Sequence, residues 1–354
     1  MRIETETKLD YSDVLIRPKR STLRSRKDVQ LEREFKFLHS KKTWVGVPIM
    51  TANMADTGTF SVAKVLSKYK MITTLHKYYS IEELEEELPK LNKPQYVAYT
   101  MGIRDEDFEK LKKILEKGLE KYFDFLCLDV PNGYLERFVE CVKKARALLP
   151  NHILIAGNVV TNEMVEELLL KGADIVKVGI GSGAACLTRR KAGVGYPQLS
   201  AVIECADAAH GISKNGGYGL IIADGGAIYP SCVAKAFCAG ADFVMSGSLF
   251  AGHDQSEGKL IEENGKKYKL HFGSSSNTAL KKFYGKIETH RTSEGRTVKI
   301  PYKGNIQNTI QDLEGSLRST GTYIGARKLK EFPKRATFIL VNRQLNGSLE
   351  VYET

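Results

Sequence analysis

Short apolar runs alternate with amphipathic stretches along most of the chain. Eight runs, at 47–52, 71–76, 96–102, 125–130, 152–157, 175–180, 219–226 and 241–247, are each about one strand long. Between them apolar residues recur with a helical period, as at 105–121, 162–171 and 232–239. Strand and helix in alternation predict βα units and a parallel sheet. Eight such units predict the α/β class and a closed (β/α)8 TIM barrel rather than an open sheet. No internal repeat beyond the βα period and no linker interrupts the pattern, so a single domain is expected over 1–354.

The interval between the sixth and seventh runs is the longest, and it holds Gly179-Ile180-Gly181-Ser182-Gly183-Ala184-Ala185-Cys186-Leu187-Thr188-Arg189. Closely spaced glycines after a buried strand let the backbone turn sharply, which presents Cys186 at a strand end. A cysteine is nucleophilic as thiolate, so Thr188, Arg189 and the local backbone dipoles matter as much as the sulfur. The plain alternative is a small hydrophobe packed in a βα turn.

A barrel gathers its chemistry at the C-terminal ends of its strands, with phosphate held after the seventh and eighth. There the chain reads Ala223-Asp224-Gly225-Gly226 and Met245-Ser246-Gly247-Ser248, two turns that can aim N–H groups at phosphate oxygens. Asp224 either accepts from a ribose or orients its loop. Beyond the eighth run lies a long insertion, expected as a flap over about 255–300, whose one regular element is a hairpin around Asn264-Gly265. If the flap folds over the barrel mouth, Glu294 reaches Thr188 and Cys186; otherwise it is a solvated acid in a charged loop.

Composition sets the surroundings. The 354 residues, 42% hydrophobic and 27% charged, are those of an ordinary globular chain. No apolar segment is long enough for a membrane span and the charged start lacks a signal-peptide core, so a cytoplasmic protein without a membrane partner is expected. Cys127, Cys141, Cys186, Cys205, Cys232 and Cys238 show no paired spacing, which argues against zinc and disulfides. The net charge of +11 comes mostly from lysines interleaved with acids, as in Glu109-Lys110-Leu111-Lys112-Lys113. Such mixing marks solvated helix faces, and the excess favours a small anionic ligand over nucleic acid.

The cysteine loop with Gly193-Val194-Gly195-Tyr196-Pro197-Gln198-Leu199-Ser200 behind it, the Asp224-Gly225-Gly226 turn and the segment from Arg291 to Gly295 carry a resemblance. So do Asp13-Val14-Leu15-Ile16-Arg17-Pro18, Ala156-Gly157-Asn158-Val159-Val160 and Leu317-Arg318-Ser319-Thr320. Nearly end to end, the chain resembles the GMP reductase branch of the IMP dehydrogenase/GMP reductase superfamily. That resemblance implies NADPH-dependent conversion of GMP to IMP and ammonia: Cys186 adds to C2 of the purine, the amino group leaves, and hydride reduces the resulting thioimidate. Thr188 coupled to Glu294 would manage the proton.

By the same resemblance, GMP would meet Asp224, Gly225, Gly226, Gly247 and Ser248, with Gly273, Ser274, Ser275, Arg291, Thr292, Ser293 and Gly295 on the base and flap side. NADPH would meet Ser25, Arg26, Lys77, Asp129, Val130, Ile180, Gly181 and His290. Ser319, Thr320 and Thr322 would reach a neighbouring subunit's cofactor, implying a homotetramer. Gly181, Gly183 and Cys186, with Arg189, would hold a monovalent cation such as K+.

The chain departs from the family pattern in several places. Asn53-Met54-Ala55-Asp56-Thr57 moves by one place an acid usually found after the methionine. Ser182 replaces a proline, Ser274 a methionine, and Pro230-Ser231-Cys232 a Pro-Gly-Asp; Asn215-Gly216-Gly217 lies in a short insertion. These changes bear on substrate fit and leave a deoxy or modified purine nucleotide open. An IMP dehydrogenase would carry an adjacent Arg-Tyr pair between Leu270 and Pro301 and a domain inserted between His76 and Tyr96, and neither is present. A non-catalytic nucleotide-binding relative is the third reading, which retention of Cys186, Thr188 and Glu294 disfavours.

Overall fold

All eight apolar runs form strands in the computed structural model, which describes residues 3–273, 276–284 and 293–341. They are β1 (Ile49–Thr51), β2 (Thr73–Leu75), β3 (Val97–Met101), β4 (Phe125–Asp129), β5 (Ile153–Val159), β6 (Ile175–Val178), β7 (Leu220–Asp224) and β8 (Phe243–Ser246). Neighbours pair in parallel, in sequence order. The ring closes by a bridge between Met50 and Ile72, where Thr51 N–H donates to Ile72 O at 3.1 Å and Ile72 N–H to Ile49 O at 3.0 Å. Closure removes the sheet edges.

Helices follow the strands in turn: α1 (Phe60–Leu66), α2 (Ile81–Glu87), α3 (Asp105–Glu116), α4 (Glu136–Leu148), α5 (Asn162–Leu170), α6 (Gln198–Gly211), α7 (Pro230–Cys238) and α8 (Ile306–Ile324). The expected (β/α)8 barrel is therefore the fold. Local chemistry sets the helix ends. Ser80 and Glu83 form a reciprocal capping box that starts α2, Asn305 caps α8, and Gly325 stops α8 at φ +71°. No helix among the described residues is long and apolar enough to cross a membrane.

The barrel interior is filled by side chains such as Met50, Ile72, Phe125, Ile155, Ile222 and Phe243. A hairpin of Arg33–Lys36 and Thr43–Gly46 plugs the end where the strands begin. Phe35 stacks on Phe243 at 4.7 Å, and the Trp44 indole donates to Gln95 O at 2.7 Å. The insertion at Asn215-Gly216 forms a tight hairpin, both residues at positive φ, and docks on this plug through Lys36. With that end closed, ligands have the other.

One buried carboxylate ties the lower layers together. Asp174 accepts from the His39 and Ser40 amides at 2.7 and 3.1 Å, from Leu154 N–H at 3.0 Å and from the Arg146 guanidinium at 2.6 Å. It thus joins the plug, α4 and β5 at the start of β6.

The insertion after β8 holds more regular structure than its sequence predicts. The expected hairpin is β9 (Leu260–Glu263) and β10 (Lys266–Phe272), and β11 (Thr297–Pro301) pairs with β10 as a third strand. A short helix, Asn277–Tyr284, was not anticipated either: too brief to show a period, it is held by tertiary contact, with Phe283 stacked on Tyr78 at 3.7 Å.

Two tests follow from the packing. Asp174→Ala is expected to lower the unfolding free energy in urea by about 3–5 kcal/mol, because it removes the buried acceptor of three backbone amides and the ion-pair partner of the part-buried Arg146 guanidinium. In addition, burial holds the His76 imidazole down at about 3 and that of His253 down at about 4. An unfolded chain takes up both protons near pH 6.5, so between roughly pH 6.5 and 4 the unfolded state binds more protons and stability falls with acid. His210, raised by its hydrogen bond to Asp242, works in the opposite sense. Denaturation across that window should show the acid slope, and His253→Leu should reduce it by up to about 1.4 kcal/mol per pH unit.

Candidate active site

The cysteine loop begins where β6 ends and is moulded on the end of β7. Gly179 sits at φ +153°, and a Cβ there would lie 1.9 Å from Asp224 O, so only glycine lets the two strand ends approach this closely. Ser182 Oγ donates to the same carbonyl at 3.2 Å and lies over Gly225, where a Cβ would meet it at 2.3 Å. The residue that departs from the family's proline thus bonds the loop to β7. Cys186 N–H closes the turn on Gly183 O at 3.0 Å. The Cys186 thiol is half-buried, whereas the other five cysteines are buried.

The segment before β11 lies on this loop as a short antiparallel ladder. Leu187 N–H donates to Glu294 O at 2.6 Å, Arg296 N–H to Ala185 O at 2.9 Å, and the Arg296 guanidinium to Ala184 O. These bonds bring Glu294 to Thr188, whose hydroxyl donates to Oε2 at 2.7 Å. The same hydroxyl oxygen is 3.2 Å from Cys186 Sγ and accepts from it. A thiol, a hydroxyl and a carboxylate therefore form one hydrogen-bonded chain, a geometry that suits moving a proton off sulfur.

Deeper in the barrel, Lys177 of β6 is 2% exposed and bridges two carboxylates, Asp129 of β4 at 2.6 Å and Asp224 of β7 at 2.8 Å. Burial by itself would lower the ammonium's pKa; the two acids overturn that and raise it above its ordinary value. Burial likewise pushes Asp129 up, and the Lys177 charge and hydrogen bond bring it below the ordinary carboxylate value. Asn158 Nδ2 donates to Asp224 Oδ2 at 2.9 Å and to Gly179 O at 2.7 Å. Asp224 is thus anchored through Oδ2 while its carboxyl remains at the cavity wall.

A cavity of about 750 Å3 opens over these strand ends. Cys186, Thr188 and Glu294 line it together. From the expected nucleotide set it gathers Asp224, Gly225, Gly226, Gly247, Ser248, Gly273 and Gly295, and from the expected cofactor set Lys77, Asp129, Val130, Ile180 and Gly181. Ser293 bonds to Gly295 O beside it. Gly183 is also at the wall, whereas the Arg189 guanidinium is held by Asp10 at 2.9 Å and Tyr196 O at 2.7 Å. Ser274, Ser275, His290, Arg291 and Thr292 lie outside the described residues.

Ser25 and Arg26 are not brought to this cavity, nor are Ser319, Thr320 and Thr322. They share another surface: the turn at Arg26–Asp28 precedes Val29, which packs on Gly321 of α8, and Lys19 N–H bonds Tyr323 O at 2.8 Å.

Sequence reading passed over Lys177 and Asn158 as site residues, although a lysine amid Ile175, Val176 and Val178 is itself a signal of a buried charge. It also gave no role to His271, whose Nδ1 lies 2.5 Å from Asp56 Oδ2 with both groups buried. Arg104, after β3, also lines the cavity.

Known proteins share this architecture's sequence. Residues 8–346 match the family model described as IMP dehydrogenase / GMP reductase domain. The chain is 54% identical to GMP reductase 2 of Homo sapiens over 347 residues, 97% of each protein. It is 53% identical to GMP reductase of Ascaris suum over 356 residues, 99% of this chain and 98% of that one. Identity to GMP reductase of Escherichia coli O157:H7 is 54% over 348 residues, 98% of each. The chain therefore belongs to the IMP dehydrogenase / GMP reductase family.

Proposed function

We propose that this chain reductively deaminates GMP to IMP and ammonia, using NADPH. The observation that carries the reading is the chain of hydrogen bonds from Cys186 through Thr188 to Glu294 at the cavity wall. The thiol proton passes through the Thr188 hydroxyl to Glu294 as sulfur bonds to C2 of the purine. Glu294 returns that proton to the C2 amino group, which leaves as ammonia, and a thioimidate to Cys186 remains. NADPH, when bound, supplies the hydride that replaces the departed amino group at C2. Sulfur then leaves C2 as thiolate and is reprotonated along the same path, so atoms and charge balance with uptake of one further proton.

Residues of the cavity fit both ligands. Gly225, Gly226, Gly247 and Ser248 would hold the phosphate and ribose, with Asp224 beside the ribose. Lys77, Asp129, Val130, Ile180 and Gly181 would hold the cofactor. Asn158 Oδ1, buried at the cavity wall without a partner among the described residues, offers an acceptor to a carboxamide donor. A monovalent cation would take the carbonyls of Gly181, Gly183 and Cys186, an all-oxygen set that suits a hard ion. Ser319, Thr320 and Thr322, grouped with Ser25 and Arg26 on one surface away from the cavity, support the reading that this segment reaches a neighbouring subunit's cofactor in a homotetramer. A cytoplasmic setting accords with the half-buried free thiol.

The direct test mixes purified protein with GMP and NADPH and follows loss of the reduced cofactor's near-ultraviolet absorbance. Turnover is expected, and Cys186→Ala should abolish it. Glu294→Gln should lower kcat by about 10²–10⁴-fold, the usual worth of a positioned acid–base group. Nucleotide binding without turnover, or NADH formation from IMP, would overturn the proposal. Lys177→Met provides a structural check: it leaves Asp129 and Asp224 facing each other unpaired and should destabilise the fold by about 3–5 kcal/mol, read in urea.

A further inference from the structure

The displaced acid of the turn after β1 has a partner. Asp56 is 1% exposed and does not line the cavity; its carboxylate meets Nδ1 of His271, the residue before the end of β10. Asp56 Oδ1 is buried without a hydrogen-bond partner among the described residues, Oδ2 meets the imidazole, and the charges of Lys269 and Glu257 lie near enough to interact with this acid. His271 does line the cavity. A carboxylate at Nδ1 fixes the ring's orientation and leaves Nε2 for a ligand.

That ring stands at the turn after β8. A Cβ at Gly247 would lie 3.2 Å from His271 Cε1 and 2.9 Å from Met54 Sδ, so the Gly247-Ser248 backbone and the imidazole edge bound the same small volume. The other cations lining the cavity among the described residues lie elsewhere. Lys177 is committed to Asp129 and Asp224, and Lys77 and Arg104 follow β2 and β3. At the β8 end, Lys303 bonds Ser248 O at 2.8 Å but does not line the cavity, and among the described lining residues His271 is the side chain there that offers a ring nitrogen to a phosphate.

We propose that His271, oriented by Asp56, recognises the 5′-phosphate of a purine nucleotide. The ring holds Asp56 at Nδ1 and presents Nε2 to a phosphate oxygen, beside the N–H groups of the Gly247-Ser248 turn. The inference rests on the reading of the cavity as a GMP site. A charge-assisted hydrogen bond of this kind is worth about tenfold to a hundredfold in affinity.

Calorimetric titration of the wild type, His271→Phe, His271→Gln and Asp56→Asn with GMP, guanosine and inorganic phosphate tests this. His271→Phe should weaken GMP by about ten- to a hundredfold and leave guanosine unchanged, with a matching rise in KM and little change in kcat. His271→Gln, which keeps an N–H donor, should recover part of the loss, and Asp56→Asn should fall between. Inorganic phosphate should compete with GMP on the wild type and fail to do so on His271→Phe. GMP binding within about twofold of wild type, or parallel loss of GMP and guanosine, overturns the inference. So does a wild type that does not prefer GMP to guanosine. Should His271→Phe not fold, the same comparisons are read on His271→Gln and Asp56→Asn. Absence of GMP turnover by the wild type would instead overturn the proposed reaction, since the calorimetric comparison needs no catalysis.

Discussion

The site depends on one lysine placed inside a barrel strand. A buried ammonium must be paired, and Lys177 has its pairing from the end of the neighbouring strand β7 and from the end of β4, two strands away on the other side. The requirement fixes Asp224, and Asp224 fixes what stands above it. Its carbonyl receives Ser182 and lies where only glycine fits at 179, so the cysteine loop takes its path from the end of β7. The position of the thiol is thus inherited from an ion triad that does not itself touch sulfur.

A second constraint sets the acid opposite the thiol. Glu294 belongs to the insertion after β8, more than a hundred positions beyond Cys186, yet it is located by backbone bonds on both sides, at Leu187 and Arg296. Backbone bonding matters because a long side chain on a free loop would lose rotamer freedom each time it met Thr188. Here most of that ordering is accomplished by the ladder. The same ladder that covers the cysteine loop carries the Glu294 backbone, so opening it would also take the acid away from Thr188.

These two constraints also explain which features were legible in the sequence. The barrel was legible because its signal is periodic and repeated: each strand is an apolar run, and the runs alternate with stretches of helical period. Cys186 was legible because glycines announce a sharp loop. Lys177 was visible as a residue, but its two acids lie 48 positions before and 47 after it, and no local pattern links them. Asp56 and His271 are separated by 215 positions, so Asp56 read only as a departure from an expected motif until folding supplied its partner. The helix Asn277–Tyr284 was hidden for a different reason. Eight residues give barely two turns, and what holds it is the stacking of Phe283 on Tyr78, a contact with another part of the chain.

The distribution of groups around the cavity implies an unequal division between its ligands. At the β6, β7 and β8 ends the chain provides thiol, hydroxyl, carboxylates, glycine turns and an imidazole, all from within one barrel. Toward β2, β3 and β4 it provides Lys77, Tyr78, Arg104, Asp107, Asp129 and Asn132, polar groups without a glycine turn or a thiol among them. The residues that the family resemblance assigns to the rest of the cofactor, Ser25, Arg26, Ser319, Thr320 and Thr322, are instead collected on α8 and the turn packed against it. Tyr323, 62% exposed, stands among them. Under the proposed reading, a single chain holds the nucleotide with its own groups and half-builds the cofactor site. Assembly then becomes a condition for hydride transfer rather than for substrate capture, and a dissociated subunit that still bound GMP would be expected to lose cofactor affinity first.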